Sequence, residues 1–435
     1  MTTLDRPPRT NTRIPFPTVD EIARHCHQSA EPETVHIEVH LPGPVNAERL
    51  RTAFTEALHH HPRILMREAP GPWYRRRYEW ELTNSPDLEV VTFPPPTKDA
   101  LKQARTRSLT HTPPLTASPP IRLEAIELPH GTALILTVNH TALDGPACLR
   151  ILATAAERYG GKENTPTAPP TRPPDTPEPP TDTPSVWTPP ARVAPGTPTP
   201  TPTPTPGGNG LLLTELPVPH RPKGSPYTVN DQLMVTTALM IAHWNREHGA
   251  HPRPMRITMP VDDRPRGTDM PIGNGTRLVE VTFAPSELTT TPDHPMAELL
   301  HRTATRTRAL KALPRPQLGH GATLLTAPVV PVAWRATLTR GLRRAAAPWT
   351  STTLLSNIGR IPYTLDFGAP AGRAHAVWFS APARMPRGLT VTTASTAGKL
   401  HVALRWSRTL LGPGDGAHLR DLFEHYLHTT EEHPA

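Results

Sequence analysis

Residues 35–41 (VHIEVHL) alternate apolar and polar side chains, the period-two pattern of a strand. Residues 45–59 then place Leu50, Ala53, Phe54, Ala57 and Leu58 at helical spacing, so a strand followed by an amphipathic helix is predicted. Residues 121–128 (IRLEAIEL) alternate again. A Pro-His-Gly turn leads from them into 132–138 (TALILTV), whose near-continuous apolar run predicts a more buried partner strand. Residues 147–159 return to helical periodicity. The stretch between, 139–145 (NHTALDG), therefore puts a polar cluster where a buried strand ends, a common location for chemistry in α/β proteins.

Beyond residue 210 the pattern is similar. Thr228, Asn230 and Asp231 are cap-type residues ahead of a predicted helix at 232–248, with Leu233, Thr237, Met240, Ile241 and Trp244 on one side. Strand-like runs follow at 256–259, 278–283, 376–379, 389–394 and 400–406. Between the two halves, residues 165–206 hold 17 prolines in 42 positions and end in five Thr-Pro repeats. Such a segment cannot donate a full backbone ladder or bury much apolar area. The expected division is an N-terminal part at 1–164, a Pro/Thr-rich disordered linker or loop at 165–210, and a C-terminal part at 211–435.

Composition sharpens this picture at a few points. A length of 435 residues exceeds what one core usually covers. The 60 prolines are about 14% of the chain, against a usual share of about 5%. A net charge of +8 favours anionic contacts such as phosphate-bearing cosubstrates, an acidic carrier protein or nucleic acid. Two cysteines, Cys26 and Cys148, give no disulfide framework, and a reducing cytoplasm is the simplest setting. Residues 1–20 have no apolar run of the secretory kind, and no stretch approaches a membrane span.

The sharpest local signal is His140 with Asp144 and Gly145, a His-x-x-x-Asp-Gly pattern at a strand end. A neutral histidine aimed into a cavity can take the proton from an amine or hydroxyl as it attacks a carbonyl. Asp144, beyond the turn, fits a brace better than a proton relay, and Gly145 would let the chain bend into the following helix. The same residues also fit a buried histidine bonded to backbone beside an N-capping aspartate. Trp73 to Trp80 interleaves aromatic and basic residues, yet its alternation reads better as a strand than as a nucleic-acid surface. His59, His60 and His61 read as a helix end rather than a metal site. Arg302, Arg306, Arg308, Lys311, Arg315, Arg340, Arg343 and Arg344 form a solvated face or a surface for a carrier protein or coenzyme A phosphates.

The motif at 140–145 resembles that of the chloramphenicol-acetyltransferase-like superfamily, which includes nonribosomal peptide condensation domains, polyketide-associated acyltransferases, wax ester synthases and plant-type alcohol acyltransferases. Further blocks match in order over most of the chain: His61-Pro62 with Leu65-Met-Arg67, Thr228-Val-Asn-Asp231, Met259-Pro-Val-Asp-Asp-Arg264, Ile272-Gly-Asn274, Ser356-Asn-Ile-Gly359 and Asp366-Phe-Gly368. The resemblance implies an α/β fold of two similar lobes, each a mixed sheet flanked by helices, meeting as a V-shaped pseudo-dimer with a tunnel at the junction. It places His140 at the tunnel's midpoint, pairs Asp144 with Arg264, and sets Ser356 and Asn357 opposite His140 as oxyanion or tunnel residues. Family members often carry two adjacent histidines, whereas here the first is Asn139, a further candidate at the oxyanion or tunnel. Ala369-Pro370 after Asp366-Phe-Gly368 sets the chain apart from the plant-type branch.

The expected activity is acyl transfer from a thioester to an amine or hydroxyl in bacterial specialised metabolism, with His140 as general base and no acyl-enzyme. Acyl-CoA or a phosphopantetheinyl carrier thioester is the expected cosubstrate, with no permanently bound cofactor and no metal. The expected partners are a small-molecule acceptor and an acyl or peptidyl carrier protein, for a monomer that binds no nucleic acid. The competing reading, raised by Asn139, is a catalytically silent condensation-like module that recruits carrier proteins or tailoring enzymes.

Overall fold

The computed structural model describes residues 12–27, 31–162, 188–196, 208–264, 270–289, 295–313, 317–318 and 321–431. Two mixed sheets organise them. The first runs Ala376–Ser380, Thr34–Leu41, Gly131–Asn139, Ile121–Leu128 and Val91–Thr92, with only the last pair parallel. The second runs Thr276–Phe283, Met255–Asp262, Thr353–Arg360, Leu389–Thr396, Lys399–Ser407 and Asn209–Pro217. Its strand Thr353–Arg360 is parallel to both neighbours and the other pairs are antiparallel. A small third sheet joins Arg13–Pro15, Glu79–Leu82 and Met66–Glu68.

The strand leading to the polar cluster is covered on both faces, which explains its lack of alternation. Leu134, Leu136 and Val138 enter the larger core with helices Ala47–His60 and Gly145–Gly160, while Ala133 and Ile135 meet Ala100 and Ala104 of helix Ala100–Thr110. Helix Ala47–His60 buries the five residues whose spacing predicts it, and the Asn46 Oδ1 caps its start by accepting from Arg49 N at 2.9 Å. Helix Val229–Glu247 begins with a capping box in which Asp231 Oδ2 accepts from both the backbone N–H and the hydroxyl of Thr228 at 2.8 Å. It packs with Asp415–Thr429 and Met296–Ala312 over the second core. Each half thus builds a mixed sheet flanked by helices.

Three expectations need correction. Strand Ala376–Ser380, assigned to the C-terminal part, pairs with Thr34–Leu41 in the first sheet, and Ile361, Tyr363, Phe367, Val377 and Phe379 enter the first core. Edge pairing, not chain order, decides which sheet a strand joins. Within 165–210, residues 165–187 and 197–207 lie outside the described residues, but 188–196 is packed rather than a free linker. Its proline-free stretch at 191–194 buries Val193 and Ala194 in the second core, and Trp244 Nε1 donates to Ala194 O at 2.9 Å. The predicted strand across Trp73 to Trp80 shrinks to Glu79–Leu82, because Trp73 and Tyr74 form an exposed turn while Arg75 folds back to pair with Glu68 and cover the Tyr78 ring.

Side chains tie the lobes together. Arg405 of the second sheet is fully buried and donates to Thr34 O at 2.6 Å, where the first sheet begins, and to Asn209 Oδ1 at 2.6 Å. Glu21 of helix Thr18–His25 accepts from Arg335 of helix Val332–Ala345 at 3.0 Å. Among the described residues no helix is long and apolar enough to cross a membrane.

Candidate active site

A cavity of about 530 Å³ lies between the lobes. Val35, His140 and Leu149 line it from the first half of the chain, and Met259, Leu354 and Ser356 from the second. Apolar side chains make up the larger part of its wall, so an apolar chain entering it would gain the hydrophobic term, and polar groups of both charges, among them Glu33, Asp262, Lys311 and Arg387, interrupt that wall.

His140 is half-buried at the end of strand Gly131–Asn139. Its backbone N–H donates to Glu33 O at 2.9 Å, which continues the sheet by one residue and fixes the start of the turn. Its ring Nδ1 is 2.9 Å from the Leu143 carbonyl. A carbonyl only accepts, so Nδ1 carries the proton and the neutral ring keeps its lone pair on Nε2. Among the described residues Nε2 has no hydrogen-bond partner. This is the arrangement a general base needs: one nitrogen anchored to backbone, the other free in a cavity.

Asp144 caps helix Gly145–Gly160 by accepting from Ala147 N at 3.1 Å, and only 2% of it is exposed. Its remaining capacity reaches into the other lobe. Arg264 Nη2 lies 2.9 and 2.8 Å from the two oxygens, and Gly275 N donates at 2.8 Å and Thr276 N at 3.2 Å. The ion pair expected between Asp144 and Arg264 is present. Arg264 is held in turn by Asp262 at 2.8 Å and by the carbonyls of Pro271 and Gly273. Burial opposes its charge, but the Asp262 and Asp144 carboxylates outweigh that and raise the guanidinium above its ordinary range.

Sequence reasoning singled out the Gly-Asn block at 273–274 without giving Asn274 a task. Its Nδ2 donates to Thr141 O at 2.9 Å and Asp20 Oδ1 at 2.9 Å, with His140 O at 3.3 Å, so it holds the backbone of the His140 turn from the opposite lobe. Asp20 also accepts from Trp80 Nε1 at 2.9 Å, and burial raises its pKa from 3.8 to about 6. Nothing in the spacing of Asp20 along the chain marks it for this position.

The other candidates separate. Ser356 and Asn357 both line the cavity, on strand Thr353–Arg360. Asn357 is committed: its Oδ1 accepts from Gly359 N and Thr393 Oγ1, and its Nδ2 faces Asn230 Oδ1 at 3.3 Å. The Ser356 hydroxyl has no protein partner among the described residues. Asn139 does not line the cavity. It is 2% exposed and acts as a loop staple, donating to Pro113 O and accepting from Thr141 N, because alternation turns it to the other side of the strand. Gly145 has no left-handed backbone, so the bend does not require glycine; an added Cβ would come within 3.7 Å of Ile358 and 3.9 Å of Phe379, both on the cavity wall.

His61, at the end of its helix, bonds Thr154 Oγ1 at 2.8 Å, and burial with nearby positive charge lowers its pKa to about 4. Among the described residues no group of three or more His, Cys, Asp or Glu is placed to hold a metal ion. Burial pushes the Cys148 thiol well above its ordinary pKa, which keeps it unreactive. Of the arginine face, Arg302 pairs with Glu298 and Arg306 with Glu287, Arg340 and Arg344 are exposed, and Arg315 lies outside the described residues.

No protein-family model matches the chain. An uncharacterized protein of Mycobacterium tuberculosis is 26% identical over 392 residues, covering 81% of this chain and 84% of the relative. The condensation domain of the Monacolin K polyketide synthase MokA superposes with a TM-score of 0.62 over 97% of both chains at 13% identity. The first condensation domain of the CDA synthetase gives 0.62 over 98% of both at 14% identity. TRI3 trichothecene 15-O-acetyltransferase from Fusarium sporotrichioides gives 0.63 over 97% of this chain and 96% of that one at 10% identity. The chain therefore has the fold shared by these condensation domains and this acetyltransferase.

Proposed function

We propose that the protein is an acyltransferase or free-standing condensation enzyme that moves an acyl group from a thioester of coenzyme A or a carrier protein to an amine or hydroxyl. The observation that carries this reading is the His140 ring, anchored through Nδ1–H to Leu143 O and bare at Nε2 in the wall of an apolar cavity between the lobes. In one direct transfer, Nε2 takes the proton of the acceptor as its nitrogen or oxygen bonds to the thioester carbon. The Ser356 hydroxyl, on the same cavity wall and without a protein partner among the described residues, would donate to the developing oxyanion. As the tetrahedral species collapses, the carbon–sulfur bond breaks and the imidazolium returns its proton to the departing thiolate. The aliphatic wall receives the acyl chain. Asp144, Arg264 and Asn274 are positioning residues that hold the His140 turn against the second lobe.

The test is turnover on a panel of acyl-CoA and acyl-carrier thioesters with amine and alcohol acceptors. His140→Ala should lower turnover about 10²- to 10⁴-fold with folding intact; unchanged turnover refutes the base assignment. The alternative, a silent recruiting module, drew on Asn139. Because that residue staples the loop outside the cavity, it gives no reason for inactivity. Carrier-protein binding with no transfer across the panel would restore that alternative.

A further inference from the structure

Arg387 lies on the crossover between strand Ala376–Ser380 of the first sheet and Leu389–Thr396 of the second, and it lines the cavity. Its side chain is partly buried on the cavity wall, yet its partners among the described residues are neutral. Nε and Nη2 donate to Ser351 Oγ at 3.2 and 2.8 Å, and Nη2 also lies 3.2 Å from Thr258 Oγ1. Among the described residues it has no carboxylate partner. Nη1 has no partner there either, and it is not among the sealed, unsatisfied polar atoms of the structure, so it remains accessible.

The surrounding charge makes this arrangement costly. Arg384, Arg343 and Arg192 all oppose its charge, and only Glu280 favours it. Glu280 is itself a partner of Arg256 at 3.7 Å, and Arg384 pairs with Glu33. Burial, with these neighbouring cations, lowers the Arg387 pKa to about 10, which still leaves it charged at neutral pH. Withdrawing a guanidinium even in part from water without a counter-charge is unfavourable, and bonds to neutral hydroxyls offset little of that. Ser351 and Thr258 bond each other directly at 2.6 Å, so the guanidinium is not needed to hold them together.

We infer that Arg387 is an anion subsite of the cavity, binding a carboxylate carried by the substrate through its free Nη1 edge. With Nε and Nη2 committed to the two hydroxyls, the Nη1 hydrogens remain to donate to a carboxylate oxygen. Arg387 and His140 both line the cavity, so the carboxylate belongs to a part of the substrate other than the reacting group. The substrate class is an acyl donor or acceptor with an apolar body and a carboxylate apart from the bond being made. This inference rests on the proposed function in taking the cavity as the place where substrate binds.

The experiment measures binding, not turnover, by calorimetry on the full chain at pH 7.5 and low salt, with decanoate, 1-decanol and decyl phosphate as probes. Wild type should bind decanoate at least about tenfold more tightly than 1-decanol, and added NaCl should erode that preference. Arg387→Met should bring the two within about threefold while 1-decanol affinity holds, and Arg387→Lys, which keeps the charge, should fall between. Equal affinities in wild type, or a preference that survives in Arg387→Met, would overturn the subsite. A more than tenfold preference for decyl phosphate over decanoate would overturn the carboxylate and assign the site to a phosphorylated cosubstrate. Should Arg387→Met not fold, the lysine variant and the wild-type salt titration still decide. His140→Ala should bind decanoate like wild type, so a protein that prefers decanoate yet turns over no thioester loses the acyl-transfer reading and keeps this one.

Discussion

Each lobe starts a long buried helix beside the cavity with an aspartate, and the two are used differently. In the second lobe, Asp231 closes on its own neighbourhood: Oδ2 takes both donors of Thr228, and Oδ1 takes the Thr307 hydroxyl at 2.6 Å. In the first lobe, Asp144 spends one bond on its helix cap and the rest on Arg264, Gly275 and Thr276 of the other lobe. The local sequence chemistry is similar, a polar cap ahead of an apolar helix. Only Asp144 converts the helix start into a joint between lobes, and His140, four residues earlier, inherits its position across the junction from that joint. In the second lobe the corresponding helix start offers the cavity a neutral amide, Asn230.

Removing the two carboxylates in turn is the strongest way to break this comparison. Asp144→Ala strips a buried ion pair and leaves the Gly275 and Thr276 N–H groups without their acceptor, so the expected loss is about 3–5 kcal/mol, read as a shift in denaturant midpoint. Asp231→Ala loses a capping box confined to one lobe and should cost about 1–2 kcal/mol. Equal losses would mean that the cross-lobe bonds add nothing. Asp144→Asn keeps an oxygen for Ala147 N while dropping the charge, so it should fall between the two and isolate the ion pair.

Asp20 sharpens the contrast between compensated and uncompensated carboxylates at the same junction. It is buried like Asp144, but its hydrogen bonds come from Trp80 and Asn274, which are neutral. Its folded pKa of about 6 stands above the ordinary 3.8. Between those values the folded state holds a proton that the unfolded chain releases, so this group's contribution is fully present below about pH 4 and is lost as pH rises through 6. The whole contribution is about 3 kcal/mol, of which about 2 kcal/mol is lost between pH 4 and 6.5. Unfolding free energies of wild type and Asp20→Asn, from denaturant titrations between pH 4 and 6.5, should diverge by about 2 kcal/mol; parallel curves would show that Asp20 ionises normally.

The sequence made the joint legible only in parts. His140, Asp144 and Arg264 could be read because short blocks with distinctive residue types carry them, and the strand and helix around them have clean periodicity. Three features hid the rest. Helix Val332–Ala345 buries Val332, Arg335, Ala336 and Thr339 while exposing Trp334, Leu338 and Leu342, which inverts the usual link between hydropathy and burial. Strand Ala376–Ser380 has a strand's composition but nothing in it names the sheet it joins. Asp20 and Arg387 sit in ordinary local sequence, Asn274 sits in a marked block that names no partner, and the importance of all three comes from neighbours tens to hundreds of residues away. Asn139 shows the reverse case: its place beside His140 in the chain suggested a shared site, and the alternation of the strand sends the two side chains to different surroundings.

The mildest test concerns Asn274, which joins the lobes without a charge. Its Nδ2 donates to Thr141 O and Asp20 Oδ1, and removing it leaves the carbonyl to find water at the cavity edge and Asp20 with the Trp80 donor, so Asn274→Ala should cost about 1–2 kcal/mol. The loss should be local. Gly275 N and Thr276 N still reach Asp144, so the helix cap and the ion pair survive, while the turn from His140 to Leu143 is no longer held from the second lobe. Hydrogen exchange should quicken at the Thr141 and Ala142 amides and stay unchanged at Ala147. If all three amides respond together, the turn and the helix start move as one body, and Asp144 alone sets the position of His140.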